Sequence, residues 1–157
     1  MQRFDVLTSP TGPESAVRQY LTFLIGAEEY GVEILKVQEV KGYSAVTPLP
    51  NAPPQVKGLM NLRGTIIPVI DPRCRFGLPR VEYTRTNVIV VLAVGSKIMG
   101  LVVDAVSDVL SFSPNEIQET PDFGQPVEQR CVHGLARSGE KVVMLLDIDK
   151  VLGNSEE

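Results

Sequence analysis

The apolar positions of this chain fall in short runs of β-branched, aromatic and leucine residues, each closed by turn residues. Residues 19–25 (QYLTFLI) predict a strand, 26–29 (GAEE) a turn, and 30–32 the start of a return strand. Residues 33–40 (EILKVQEV) are ambiguous, because Ile34 and Val37 stand at i, i+3 in a piece too short for a full helix. One or two helical turns leading into a strand are expected there. Pro48, Pro50, Pro53 and Pro54 predict a loop, with Asn51 placed to cap a single turn reaching Lys57. Two strongly apolar runs then flank Asn61-Leu62-Arg63-Gly64, a hairpin with one cationic side chain at its tip. Pro68 in the second run cannot donate a ladder hydrogen bond, which predicts an edge position or a bulge.

A polar segment, residues 73–86, is punctuated by Gly77 and Pro79 and reads as a junction, after which the pattern restarts. Residues 87–94 predict a buried strand, Gly95-Ser96 a hairpin turn, and 98–103 the return. Residues 104–110 mirror the ambiguous segment of the first half, 113–117 form a loop or short turn, and 121–128 a further loop. A second hairpin, residues 134–141, leads into 142–147, and 148–152 close as a helical turn with Gly153 as its cap. Residues 1–16, with Thr8-Ser9-Pro10-Thr11-Gly12-Pro13, read as a flexible lead.

The restart has a fixed spacing. Gly31 precedes Val40 as Gly100 precedes Val109, with Val seventh, an acid ninth and Val tenth in both windows, an offset of 69. Gly58-Leu59 precedes Asp71 as Gly134-Leu135 precedes Asp147, an offset of 76. The difference of seven fits one insertion around residues 111–117. Two copies of an all-β unit of roughly 65–70 residues follow, a size at which small barrels close. The copies differ at the hairpin, where the second carries Arg137-Ser138-Gly139-Glu140. Residues that serve the fold recur between copies, whereas site residues need not, and this singles out Arg63.

Composition adds exclusions. A hydrophobic fraction of 43% with 22% charged residues is that of a globular chain. The net charge of −4 argues against nucleic acid and anionic membranes as partners. A local excess, Arg63, Arg73, Arg75, Arg80 and Arg85 against Asp71 and Glu82, reads as a solvated or protein-facing patch. Cys74 and Cys131 form neither a disulfide framework nor a zinc set, and are expected as reduced thiols of a cytoplasmic protein. No signal peptide or membrane-length apolar run is present, so membrane association is expected only through partners. His133 is the single histidine and has no nucleophile pattern around it; no phosphate-binding loop occurs. Asp104, Asp108, Asp147 and Asp149 lack further oxygen ligands and read as capping, exposed or strand-end acids. Neither a catalytic residue, a metal nor a cofactor is expected. The rival reading is a small anion-binding or catalytic barrel built on the Arg63–Arg85 patch. It requires a deep pocket lined by Arg63, Arg73 and Arg75.

The runs Y-G-V-E-I-L-K-V-Q-E-V, K-G-L-M-N-L-R-G-T-I-I-P-V-I-D-P-R, M-G-L-V-V-D-A-V-S-D-V-L and V-H-G-L-A closely resemble the CheW family of chemotaxis coupling proteins, over residues 19–153. The resemblance implies two tandem SH3-like five-stranded β-barrels with short helical turns. On that reading residues 17–153 are one CheW-like domain, with subdomains at about 17–82 and 83–153, between a lead (1–16) and a tail (154–157). It implies a non-enzymatic cytoplasmic adaptor between the hairpin tips of methyl-accepting chemoreceptors and the histidine kinase CheA. The receptor tip is expected in an apolar groove formed with Ile34, Val37, Glu39, Asn61, Arg63, Val88, Met99, Gly100 and Val106. The regulatory domain of CheA is expected at Val46 and Thr47 and, as a second contact, at Gln118, Asp122 and Phe123. Glu39 is the obvious internal partner of Arg63, and a bidentate pair could fix the guanidinium while presenting its outer face.

Overall fold

The computed structural model describes residues 17–44, 46–73, 78–79, 81, 83–119 and 132–148. Among these, the strands are β1 Arg18–Ile25, β2 Glu28–Glu33, β3 Val37–Gly42, β4 Val56–Leu62, β5 Thr65–Ile70 and β6 Val88–Val94. They continue as β7 Lys97–Val103, β8 Ala105–Phe112, β9 Ile117–Gln118, β10 Val132–Ser138 and β11 Lys141–Leu146. Single 3-10 turns occupy Ile34–Lys36 and Pro114–Glu116. The all-β class therefore holds, and so do the hairpin turns at Gly26, Arg63, Gly95 and Gly139.

One sheet runs β8-β1-β2-β11-β10-β9 and the other β3-β6-β7-β5-β4. The expected division near residue 82 is not the one these sheets make. Each sheet combines two strands of one copy with the last strands of the other, so the copies are interleaved rather than in tandem. The sequence specifies where strands and turns fall within a copy, but an apolar strand looks the same whichever copy supplies its neighbour. That is why the exchange was not legible.

The repeat itself is reproduced in register. The parallel pair Val69↔Gly100 of β5 and β7 corresponds, through the offsets of 76 and 69, to Leu145↔Gly31 of β11 and β2. The β4–β5 hairpin skips a residue between Val56 and Gly58, and β10–β11 skips one between Val132 and Gly134. The bulges that β3 and β8 make against β6 and β1 also coincide, at Gln38 and Ser107. Thr47 bridges Leu59 at the free edge of β4, and Gln118 of β9 pairs with Leu135 at the free edge of β10. Since residue 47 continues from β3 and β9 continues from β8, each sheet curls until its far edge is met by chain leaving its first strand.

Three cores explain the hydrophobic runs. Met60, Ile67, Val69, Ile89 and Val91 fill the inside of one barrel; Tyr20, Phe112, Ala136, Val143 and Leu145 fill the other. The third and largest lies between the sheets and takes Leu21, Phe23 and Val32 from one, Val90, Leu92, Leu101 and Val103 from the other. β6 therefore buries alternate residues on two opposite faces, which is why residues 88–94 are apolar without alternation. Pro68 is neither on an edge nor at a bulge. Leu59, its partner across the ladder, directs its N–H and C=O to Thr47, so the Leu59↔Pro68 pair needs no hydrogen bond; the ladder to β7 begins only at Val69. Residues 104–110 hold no helical turn, and Asn51 lies at a left-handed turn (φ 62°) rather than at a helix start. The lead (1–16), residues 121–128 and the closing turn at 149–153 lie outside the described residues.

Candidate functional site

The pairing Leu62↔Thr65 leaves Arg63-Gly64 as a two-residue turn in which both residues have positive φ, 50° and 92°. A hairpin turn of this kind favours Asn-Gly, because a side chain on Cβ crowds the left-handed backbone. Gly139, at the equivalent position of the second hairpin, takes φ 65° without that cost. The chain thus holds an arginine where its own repeat uses glycine. Asn61 stabilises the turn by accepting the Gly64 N–H at 2.7 Å.

The Arg63 side chain is 72% exposed, and its Nη1 donates to Glu39 Oε1 at 3.3 Å while Nη2 lies 2.8 Å from Oε2. The hydrogen bond from Arg63 lowers the Glu39 carboxyl below its ordinary value, and the same bond raises the guanidinium. Glu39 belongs to β3 and Arg63 to the tip of β4, the two opposite edges of one sheet. The pair is a clasp across the seam of that barrel. The second barrel has Gly139 and Asp108 at the equivalent places, and Asp108 is turned to its own backbone, accepting the Val109 N–H at 2.8 Å. One guanidinium face is therefore fixed and the other is open to solvent.

Five of the expected contact residues come together by a shared feature. Ile34, Val37, Val88, Met99 and Val106 are all half-buried and all pack on the core between the sheets. They form part of the partly buried rim of that core, to which Val56, Leu78, Val109, Val132 and Met144 also belong. Leu35, between two of them, is 91% exposed, a position that sequence spacing did not single out. Gly100 is different: it is buried, and a Cβ there would stand 2.8 Å from Ile89 Cγ2. Its close approach is to Ile89 and Val69 inside one barrel, on the face of β7 opposite Met99.

Val46 and Thr47 flank the free edge of β4, with Val46 half-buried and Thr47 exposed. Ile117 and Gln118 take the corresponding places beside β10, so the two expected kinase contacts fall on repeat-related edges. A Cβ on Gly58 would clash with the Thr47 carbonyl oxygen and one on Gly134 would stand 2.7 Å from Ile117 Cγ2, which shows the same close crossing in each barrel. Asp122 and Phe123 lie outside the described residues.

Among the described residues Arg63 and Arg73 do not converge on a pocket; Arg75 and Arg80, also named for the patch, lie outside the described residues. Arg73 is buried, with Nη1 and Nη2 donating to Asp104 at 3.0 and 3.1 Å, whereas Arg63 is spent on Glu39. Asp104 also accepts the Gly26 N–H at 2.7 Å and Asn87 Nδ2 at 3.2 Å. Burial acts to raise its carboxyl, but these bonds, with Arg73 foremost, hold it below the ordinary value. Asp104 is thus an ion-pair partner rather than the capping or exposed acid expected. It joins β7 to the β1–β2 turn of the other sheet. Leu35 occupies its equivalent position in the first copy, so this strut, like the clasp, exists once. Among the described residues no group of three or more His, Cys, Asp or Glu could hold a metal.

Residues 19–156 match the family described as CheW-like domain. The chain is 43% identical over 143 residues to the chemotaxis protein CheW of Klebsiella aerogenes, covering 91% of this chain and 86% of that protein. It is 37% identical over 139 residues to CheW of Rhizobium meliloti, covering 88% and 90%. The crystal structure of the scaffolding protein TtCheW from Thermoanaerobacter tengcongensis superposes with a TM-score of 0.80 at 28% identity, covering 96% of this chain and 95% of that one. With its interleaved strands, its repeat register and the arginine at the tip of one hairpin in view, the chain belongs to the CheW family.

Proposed function

We propose that this protein is a non-enzymatic adaptor that joins the cytoplasmic hairpin tips of chemoreceptors to the regulatory domain of the histidine kinase CheA. The observation that carries the reading is Arg63, held in a left-handed turn where the repeat has glycine, with one face clasped by Glu39 and the other open. Strain kept at an exposed charge serves a contact better than it serves the fold. The names of its relatives, chemotaxis protein CheW and a scaffolding protein, point the same way.

The receptor tip lies along the rim made by Ile34, Val37, Val88, Met99 and Val106, as an amphipathic helix in an apolar groove. Arg63, Glu39 and Asn61 supply registry at its edge, and Gly100 backs Met99 by letting β7 pack closely on Ile89 inside the barrel. CheA meets the Val46–Thr47 edge and, at the repeat-related edge, Gln118 with Asp122 and Phe123. Two such edges let one adaptor touch two partners, and many copies in an array multiply modest affinities. The protein works in the cytoplasm at receptor clusters; no helix among the described residues is long and apolar enough to cross a membrane. Co-purification with a chemoreceptor signalling fragment and CheA, with kinase activity read in the presence and absence of this protein, tests the assignment. Ternary complex and activated kinase are expected; neither partner retained and activity unchanged would overturn it.

A further inference from the structure

The repeat exposes a cavity that is filled in one copy and open in the other. In the filled copy Tyr83, from the segment joining the copies, donates its hydroxyl to Asp71 Oδ1 at 2.7 Å. Lys57, the bulged residue of β4, carries its Nζ over the Tyr83 ring, 5.2 Å from the centroid. A bulge re-aims the side chain it leaves unpaired, and here it aims a cation at an aromatic face. The equivalent residues of the second copy are Asp147 and His133, and His133 is the bulged residue of β10.

Both line a cavity of about 210 Å³, together with Glu33, Lys36, Leu146 and Ile148. No hydrogen bond reaches the Asp147 carboxylate among the described residues, and His133 is exposed. We infer that this cavity is a binding site for the tyrosyl side chain of a partner protein. The phenol hydroxyl donates to Asp147, the ring rests on Leu146 and Ile148, and His133 and Lys36 stand over it as Lys57 and Arg73 do over Tyr83. The size fits, since a cavity of about 150 Å³ already admits benzene. The chemistry fits as well: the Asp147 carboxylate accepts a phenol hydroxyl that a plain aromatic ring lacks, Lys36 stands beside the ring, and a second acid would meet Asp147 and Glu33 as like charges. The site stands apart from the Arg63 seam and rests on the repeat alone, whichever partners the adaptor reading names.

His133 is the only histidine, so its ring protons give an isolated NMR signal in the full-length protein. Titration with p-cresol is expected to shift that signal saturably, and toluene to bind at least roughly tenfold more weakly, the weight of one hydrogen bond to a charged acceptor. N-acetyl-Gly-Tyr-Gly-amide is expected to reproduce the shift and its Phe analogue not to. Asp147→Ala should abolish the preference for the hydroxyl, with amide shifts around Thr22 unchanged as evidence of an intact fold. His133→Lys, which installs the residue found in the filled copy and removes the ring signal, should bind the Tyr peptide at least as tightly when followed by the backbone amide shifts of Leu146 and Ile148; loss of binding would count against the site. Absence of a saturable shift, equal binding of toluene and p-cresol, or retained preference in Asp147→Ala would overturn the site. Binding of p-cresol without the Tyr peptide would overturn a protein side chain as its occupant.

Discussion

The two copies of the repeat agree where the fold is made and part where a partner would be met. Their ladders, bulges and crossing glycines coincide residue for residue. Their differences concentrate at a few sites: Arg63 against Gly139, Glu39 against Asp108, Asp104 against Leu35, and a filled against an open aromatic slot. An internal repeat therefore acts as a control, separating residues a barrel needs from residues that one barrel alone has acquired.

The largest effect is expected at the strut that only one copy has. Arg73→Ala leaves Asp104 half-buried without its charge partner, and removing one member of such a pair costs more than the pair contributes. Thermal melts should show a midpoint lower by about 5–10 °C, reduced from the fully buried case by the exposure of Asp104. Placing an acid at the equivalent position, Leu35→Asp, should leave the midpoint unchanged, because Leu35 touches solvent. A loss of equal size in both variants would erase the distinction between the copies.

The crossing glycines should both resist substitution but to different degrees. A Cβ at Gly100 meets Ile89 at 2.8 Å, and one at Gly31 meets Leu145 at 3.2 Å. Denaturant unfolding of Gly100→Ala should show a loss of about 1–3 kcal/mol, and Gly31→Ala a smaller one. The reverse order would contradict the tighter approach found at Gly100.

Acid should act mainly through the strut. The Asp104 carboxyl is lowered in the folded protein, so its contribution is complete above the ordinary carboxylate value, 3.8, and is lost as pH falls through the depressed one. Glu39 follows the same sign, but it is half-buried and its partner Arg63 is exposed, so salt screens the pair. Melting midpoints followed from pH 6 to pH 2 should fall most steeply below about pH 4, and Asp104→Asn should flatten that limb.

Much of this was written in the sequence. The apolar runs, the turn glycines and the two offsets gave the strands, the hairpins and the repeat, because each rests on local chemistry. The pairing of β2 with β11 and of β7 with β5 was not legible, since parallel partners are far apart in sequence and a strand buried on both faces carries no directional pattern. Arg63 was legible through its contrast with the second hairpin, and Glu39 as the carboxylate expected to pair with it. The Arg73–Asp104 strut was hidden because Arg73 opens a segment that read as a polar junction, and its buried position separates it from the exposed Arg63 and Arg85. Leu35 was passed over because spacing ranks periodic positions, and exposure is a property of the fold.

The smallest structural effect and the most direct test belong to the same substitution. Arg63→Gly copies the second hairpin into the first, removing the strained residue together with the clasp. The melting midpoint should move by no more than about 2 °C, since an exposed pair stabilises little and the turn gains the residue it favours. Affinity for a chemoreceptor signalling fragment, measured by calorimetry beside the unaltered protein, should fall by at least about tenfold, the loss expected for a charged anchor of an interface. Unchanged affinity with an unchanged melt would contradict the account, because Arg63 would then serve neither the partner nor the fold.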